Sequence, residues 1–231
     1  IARRASVFGL HVHVGIGSGE RAVAIMNAML PALPVLLALS ANSPFCDERD
    51  SGLMSMRRQV LASMPRTGLP QAVTSWAQWI ELVEQLRASG HVAGFRDLWW
   101  DVRLNPLYGT LEVRICDMPS SLDEVVALAA LVQALVVALD RGELAPASAF
   151  ASCGARAICE SNLWSAARHG MRGNIVDYYA ATAAATNLGG ATLRLLDRLA
   201  PIAVELRTER EFDLLRSTTR NGSGAARLRS L

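Results

Sequence analysis

Three short segments of the chain each place two ionisable side chains around a single valine. They are His11-Val12-His13, Asp101-Val102-Arg103 and Glu112-Val113-Arg114. Because strand side chains alternate between two faces, each pair projects to one side and its valine to the other. If the segments share one sheet, its polar face carries two imidazoles, two carboxylates and two guanidiniums. Such a set favours a metal and phosphate site, since imidazole and carboxylate bind divalent ions and arginine binds phosphate or carboxylate.

Two simpler interpretations compete with that prediction. Each pair taken alone fits a solvated sheet face or a structural ion pair, but repeated inward charges without partners would each cost several kcal/mol. A zinc hydrolase is the other competitor, because two histidines and a glutamate form a familiar zinc set. The chain has no H-E-x-x-H helix, and its pattern identifies no third zinc ligand. Gly15 lies on the histidine face, where it leaves room for a bulky ligand.

Composition limits the partners and the compartment. The chain has 231 residues, of which 51% are hydrophobic, enough for a sizeable core. Its 23 basic residues are all arginine and are scattered, and the net charge is only +2, so we expect small-molecule partners and no nucleic acid. The absence of lysine excludes a catalytic lysine within this chain.

Two apolar stretches, residues 22–41 and 125–139, resemble membrane spans in hydropathy. Prolines interrupt the first and the second is short for a bilayer, so buried core helices and no membrane contact are expected. Four cysteines without C-x-x-C spacing predict free thiols in a cytoplasmic protein. The first residue is Ile1, which suggests that upstream sequence is missing.

The pattern of elements predicts an α+β fold. Alternation predicts a strand over residues 6–16, and turn chemistry between residues 97–104 and 110–116 predicts an antiparallel hairpin. A polar loop over 40–52 suits ligand binding. Helices are predicted over residues 20–39, 53–62, 71–88, 121–140, 146–168, 173–185, 189–205 and 209–219, with no strand after 120 and a loose tail over 221–231.

Longer motifs surround the charged pairs. The sequence reads GLHVHVG at 9–15, ALSANSPF at 38–45, WDVR at 100–103, GTLEVRICD at 109–117, NLWSAARHG at 162–170 and GAARLR at 224–229. Together they resemble the glutamate–cysteine ligase type 2 family of bacterial carboxylate–amine ligases over nearly the whole chain. The resemblance implies a fold like that of glutamine synthetase, in which a curved antiparallel sheet forms an active-site funnel covered by many helices. Residues 1–231 would be the C-terminal major part of one catalytic domain.

The resemblance also implies a reaction. ATP phosphorylates a carboxylate, in the family the γ-carboxylate of glutamate, and an amine such as cysteine attacks the acyl phosphate. His11 and Glu112 would bind Mg²⁺, or Mn²⁺, on the ATP phosphates. His13 would lie near the transferred phosphate, and Arg114 would steady the phosphoryl group.

Further contacts follow from the same resemblance. Arg103 and Arg57 are candidates for binding the substrate carboxylate or phosphate. Asn42 and Ser43 are candidates for loop contacts with the nucleotide or substrate, and Arg168 is a candidate for a further anion contact.

The chain departs from the family pattern in two places. Family members carry a G-x-E-x-E type strand near the N-terminus, and no such segment precedes His11. Either the first part of the protein is absent from this sequence, or the chain is a non-catalytic ligand-binding homologue. The loop at 46–52 is also more charged than the family pattern, which leaves substrate preference open. The apolar helices after Ser121 are candidates for a homo-oligomer interface.

Overall fold

The computed structural model describes residues 7–230; residues 1–6 and 231, which include the start of the predicted first strand and the end of the predicted tail, lie outside it. Helices occur together with small, mostly antiparallel sheets, which fits the α+β prediction. The helices are α1 (Gly19–Met29), α2 (Leu33–Ser40), α3 (Met56–Ala62), α4 (Trp76–Ala88), α5 (Leu122–Asp140), α6 (Ala155–His169), α7 (Leu188–Leu206), α8 (Glu209–Asn221) and α9 (Gly224–Leu228). The strands are β1 (Val12–Gly15), β2 (Phe45–Cys46), β3 (Arg49–Asp50), β4 (Thr67–Gly68), β5 (Trp99–Trp100), β6 (Val102–Asn105), β7 (Thr110–Val113), β8 (Asn174–Asp177) and β9 (Ala184–Asn187).

The largest described sheet has three antiparallel strands in the order β1-β7-β6. The predicted hairpin is confirmed as β6 and β7, with Gly109 at φ 62° in the turn. Three further sheets have two strands each: β2-β3, β4-β5 and β8-β9. None of these sheets closes within residues 7–230, and the curved glutamine synthetase-like funnel stays a prediction.

The core lies between the apolar face of this sheet and the helices. Val102 and Val113 are fully buried, and α1 packs against β6 and β7. Every residue of α2 is buried, because this helix runs through the interior against α6 and α5. Removing this much apolar surface from water is the main stabilising contribution, and it leaves the opposite sheet face free for polar groups.

The expectation of a helix over 173–185 is wrong. Residues 174–187 form the β8-β9 hairpin instead, so strands do occur after residue 120. The alanines favour a helix by propensity, but a tertiary contact overrides them. The side chain of Asn162 on α6 accepts from the backbone N–H of Val176 and donates to its carbonyl, both at 2.9 Å, as a neighbouring strand would.

Other boundaries also move. The predicted helix over 20–39 is split by a 3₁₀ turn at Leu30–Ala32, since Pro31 and Pro34 lack the amide N–H that an unbroken α-helix needs. The predicted helix over 146–168 begins only at Ala155. The predicted loose tail contains α9, whose Ala225 donates its backbone N–H to the carbonyl of Ala41 at 2.8 Å.

Two helical stretches, Gly19–Ser40 and Leu122–Asp140, are long and apolar enough to cross a membrane. Their most apolar 18-residue spans are 83% and 50% buried inside the structure. Core helices of globular proteins meet the same length and composition, and both stretches pack against other helices and the sheet.

Candidate active site

Strand register brings three of the predicted residues into one row across the sheet. His13 on β1 pairs with Glu112 on β7, and Glu112 pairs with Arg103 on β6. Residues paired in this way point to the same face of a sheet. Their valine neighbours are likewise paired and point into the core. The alternation in the sequence therefore places these charges correctly.

Glu112 is the centre of the row and is only 2% exposed. Arg103 donates from Nε at 3.0 Å and from Nη2 at 2.8 Å to Oε2, and Nη1 of Arg114 donates to Oε1. Burial alone would raise the pKa of Glu112, but the two guanidiniums outweigh it and hold that pKa below its usual value. The carboxylate is therefore ionised at neutral pH and engaged by two cations.

The side chains of Arg103 and Arg114 differ in how firmly they are held. Arg103 is buried, and its Nη1 also donates to the carbonyls of Arg96 at 2.7 Å and Leu98 at 3.1 Å. Because hydrogen bonds hold Nε and both terminal nitrogens, Arg103 is a fixed support for Glu112. The side chain of Arg114 is 17% exposed, so Arg114 is the guanidinium of this pair that reaches solvent.

His11 stands beside Arg114 as a neutral base. Burial, followed by the charge of Arg114, lowers the pKa of His11 from 6.5 to about 4, although Glu112 opposes the shift. Nη1 of Arg114 donates to Nδ1 of His11 at 3.2 Å. This contact assigns the proton of the neutral ring to Nε2, since Nδ1 must accept.

His13 is held from the turn side of the hairpin. Its Nδ1 lies 2.9 Å from Oγ1 of Thr110, its ring meets Tyr108 edge to face at 6.2 Å, and its Nε2 lies 3.6 Å from Oε1 of Glu112. Next along the strand face, a Cβ added at Gly15 would meet nothing within 4 Å. The face is thus open beside His13, as the glycine predicts.

A β-bulge aims Arg114 and His11 at each other. Val12 pairs with Val113, but the next bond on this edge joins the N–H of Leu10 to the carbonyl of Cys116 at 3.1 Å. Two residues of the β7 side, Arg114 and Ile115, therefore oppose His11 alone. Bulges of this kind redirect side chains beside functional sites.

Arg57 of α3 closes the bulge. Its Nη1 donates to the carbonyl of Ile115 at 3.0 Å, and its Nη2 donates to the carbonyl of Arg114 at 3.1 Å. The guanidinium lies directly under Gly9, where an added Cβ would be 2.2 Å from Nη2. Arg57 is 5% exposed and binds main chain at the closed end of the face. Its predicted contact with substrate stays a prediction.

Asn42 and Ser43 lie behind Arg57, around the buried Asp117. Ser43 Oγ donates to Oδ2 at 2.7 Å, the backbone N–H of Asn42 donates to the same oxygen at 3.0 Å, and Ser55 Oγ donates to Oδ1 at 2.8 Å. Burial raises the pKa of Asp117 against these hydrogen bonds and the charge of Arg57, whose Nη1 is 3.9 Å away. These hydrogen bonds connect the loop after α2 and the residue before α3 to the segment that follows β7.

Two other residues lie away from the polar face. The expectation that Asp101 joins it is wrong: the chain bends at Asp101, and the carboxylate lies 3.4 Å from Nη2 of Arg58, which also approaches Glu160 of α6. Burial raises the pKa of Asp101, which Arg58 opposes. Arg168 is exposed on α6, and its predicted anion contact stays a prediction. The face has one carboxylate where two were expected.

The described residues alone do not make a magnesium site. Mg²⁺ prefers six oxygen ligands, and this face offers one carboxylate that two arginines already engage. Nδ1 of His11 is occupied by Arg114, and its Nε2 carries the proton. Within residues 7–230, no group of three or more histidine, cysteine or acidic side chains is placed to hold a metal ion, zinc included. The face has a net positive charge and fits an anion directly.

The sequence profile of Glutamate-cysteine ligase family 2 matches residues 1–230. The chain belongs to this family. A Rubrobacter xylanophilus protein with the provisional name glutamate–cysteine ligase 2-3 is 36% identical over 230 residues, which are 100% of this chain and 60% of that protein. A Frankia alni protein, provisionally named glutamate–cysteine ligase 2-1, is 43% identical over 180 residues, 76% of this chain and 46% of that protein. A Solibacter usitatus protein with the provisional name glutamate–cysteine ligase 2 is 36% identical over 229 residues, 98% of this chain and 58% of that protein.

Membership of Glutamate-cysteine ligase family 2 confirms the resemblance carried by the motifs. The chain spans about half the length of these curated relatives. Sequence reasoning missed the roles of Asp117 and Thr110, although both lie in the GTLEVRICD motif. The signal for both was the extra residue of the β-bulge between Val113 and Asp117, which shifts the strand pairing. This residue can be recognised as extra only once the partner strand is known.

Proposed function

We propose that the protein is an ATP-dependent ligase that joins a carboxylate, the γ-carboxylate of glutamate, to an amine such as cysteine. Family membership supports an amine–carboxylate ligase. The observation that carries the finer proposal is the positive face itself: two guanidiniums and a neutral imidazole surround a single buried carboxylate. A phosphoryl group in transfer spreads negative charge over its oxygens, which such a face is suited to stabilise.

The bonds exchanged in the proposed reaction balance. A carboxylate oxygen attacks the γ-phosphorus of ATP, and ADP leaves. The amine nitrogen then attacks the acyl carbon, loses a proton, and releases inorganic phosphate. Neither step requires a covalent enzyme intermediate, so positioning and charge neutralisation are the protein's main contributions.

Each residue of the face has a part in that scheme. Arg114 is exposed enough to bind the phosphoryl oxygens, while Arg103 keeps Glu112 fixed behind it. His11, with a pKa of about 4, is neutral at pH 7 and able to accept a hydrogen bond. Once Arg114 turns to the phosphate, a ring nitrogen of His11 would be free to act as a metal ligand. His13, held by Thr110, lines the open side. Arg57 sets the bulge that aims Arg114.

Magnesium bound with ATP would supply charge neutralisation between the phosphates. Glu112 and His11 are the described residues that would contribute to holding it, together with ligands from outside this set. Arg114 would have to release them, because it engages both in the present geometry.

The test is ADP release by the full-length protein with ATP, Mg²⁺, glutamate and a panel of amines. We expect amine-dependent ADP release that falls at least a hundredfold in Glu112→Gln. The matched control is Glu205→Gln, which removes an exposed carboxylate that pairs with Arg141 on the surface. Absence of turnover with every amine, or equal turnover in both variants, would contradict the proposal.

One observation favours a second candidate function. The described residues include no complete metal set, and the single carboxylate of the face is already paired. A non-catalytic homologue that binds a phosphate-bearing or carboxylate ligand would need only the positive charge. Binding of ATP or glutamate without ADP release under any condition would favour this binder over the ligase.

A further inference from the structure

A second cationic pocket lies between the end of α8, the start of α9 and the segment before α3. Its volume is about 390 Å³, within the range of small-molecule sites. Three arginines and an imidazole line it: Arg172, Arg220, Arg229 and His169. None of the described lining residues is acidic. A pocket of this size and charge is suited to a small anion.

Ser223, on the pocket wall, is a buried hydroxyl without a partner. The residue is 2% exposed, and its Oγ makes no hydrogen bond with any described group. It stands immediately before α9, where a serine normally caps the helix, yet its side chain makes no such bond. Leaving a buried hydroxyl unsatisfied costs free energy, which a ligand oxygen in the pocket would recover.

Arg229 also has unused hydrogen-bonding capacity. Its Nη2 donates to Asp50 and to the carbonyl of Leu53 at 3.1 Å, but its buried Nε has no partner among the described groups. Its Nη1 faces the thioether sulfur of Met54 at 3.1 Å, which is a weak acceptor. Two of the three guanidinium nitrogens therefore lack a good acceptor.

We propose that this pocket binds a small dianion, carrying either two carboxylates or one phosphate group. Asp50 balances one of the three arginine charges, and Arg172 and Arg220 remain exposed at the rim to meet a second negative group. Met54, in the wall, lies three residues before Arg57, so the pocket is within about 11 Å of chain from the helix that closes the active-site bulge. The inference goes beyond the proposed ligase activity, because it concerns binding and needs no turnover.

The experiment is an NMR titration of the ¹⁵N-labelled protein with inorganic phosphate and, separately, with glutarate. The backbone amides of Gly222 and Gly224 report on this pocket, while Gly15 reports on the polar face of the sheet. We expect saturable shifts at Gly222 and Gly224 with at least one probe. Phosphate alone, glutarate alone, or both would support the dianion and would identify its chemistry. Absence of saturable shifts with either probe would overturn it.

Variants locate the binding. Losing one arginine contact to an anion should weaken binding about tenfold, so Arg172→Gln with Arg220→Gln should abolish saturation at accessible concentrations. Arg210→Gln is the matched control, since it removes an exposed arginine from the same helix as Arg220 but outside the pocket. Equal affinity in the double variant and the control would contradict the site. Because the substituted residues Arg172, Arg220 and Arg210 are all exposed, these variants should keep the wild-type melting temperature.

Ser223→Ala separates a ligand role from a structural one. If the hydroxyl serves a ligand, alanine should leave the melting temperature of the free protein unchanged or higher, and should weaken the binding of the probe several-fold. A lower melting temperature with unchanged affinity would show that the serine is structural and would contradict its part in the pocket.

Discussion

Replacement of Gly9 by alanine tests how the sheet aims its functional side chains. The added Cβ would lie 2.2 Å from Nη2, 2.5 Å from Cζ and 2.6 Å from Nε of Arg57, all closer than real contacts allow. The guanidinium is buried and bonded to main chain between Gly9 and the bulge, so it can make room only by giving up its present position. Two carbonyls, those of Arg114 and Ile115, then lose their donor.

The magnitude follows from the groups left unpaired. Each buried carbonyl that loses its partner costs about 1 to 3 kcal/mol, and Asp117 loses its nearest cation. We therefore expect Gly9→Ala to reduce the free energy of unfolding by about 3 to 5 kcal/mol. Gly15→Ala is the control on the same edge of the sheet, where the new Cβ meets no atom within 4 Å. Its effect should stay within about 1 kcal/mol.

Urea unfolding of both variants measures the difference, and a double-variant cycle identifies its cause. In an Arg57→Ala background the guanidinium is gone, so Gly9→Ala should add less than about 1 kcal/mol. Equal urea midpoints for Gly9→Ala and Gly15→Ala would refute this explanation of Gly9. Fully additive changes in the free energy of unfolding for Gly9→Ala and Arg57→Ala would refute it too.

Four further outcomes are expected. An NMR titration should place the pKa of His11 near 4, and Arg114→Gln should raise it only part of the way towards 6.5 because burial is the larger cause; titration near 6.5 in the wild type would contradict the geometry. Since the folded pKa of His11 lies below the unfolded value, its contribution to stability should be lost as pH falls from about 6.5 to about 4, and His11→Asn should flatten urea-unfolding stability across that window. Asp117→Asn should cost about 2 to 4 kcal/mol by urea unfolding, because the amide nitrogen cannot accept the bonds that the carboxylate accepts, and an unchanged midpoint would argue against the cluster. Asn162→Ala should cost about 1 to 3 kcal/mol and raise amide exchange at Val176, whereas unchanged exchange there would show that the hairpin does not depend on α6.

The row of charges was predictable because it depends only on alternation along strands. His13, Glu112 and Arg103 meet as the sequence pattern implies. The direction of the Asp101 side chain was not predictable in the same way, since it depends on a bend in the chain and on the position of Arg58. The alternation of residues along a strand gives no information about either of these.

Arg57 illustrates a second limit. The sequence predicts Arg57 as a candidate for binding substrate, and in the structure its guanidinium donates to two carbonyls at a bulge. A bulge depends on which residue of one strand pairs with which residue of another, and these strands are about a hundred residues apart in sequence. The prediction of a helix over 173–185 was wrong for a related reason. Asn162 on the preceding helix α6 hydrogen-bonds to the backbone of Val176 as a neighbouring strand would, and this tertiary contact has no signature in the local sequence.

Transfer of an oxygen isotope is the most direct test of the proposed acyl-phosphate chemistry. Glutamate labelled with ¹⁸O in its γ-carboxylate is incubated with the full-length protein, ATP, Mg²⁺ and the amine that gives turnover. We expect one ¹⁸O atom in each inorganic phosphate released, because the carboxylate oxygen that attacks the γ-phosphorus leaves with it. Unlabelled phosphate, or label found in AMP, would contradict an acyl-phosphate intermediate.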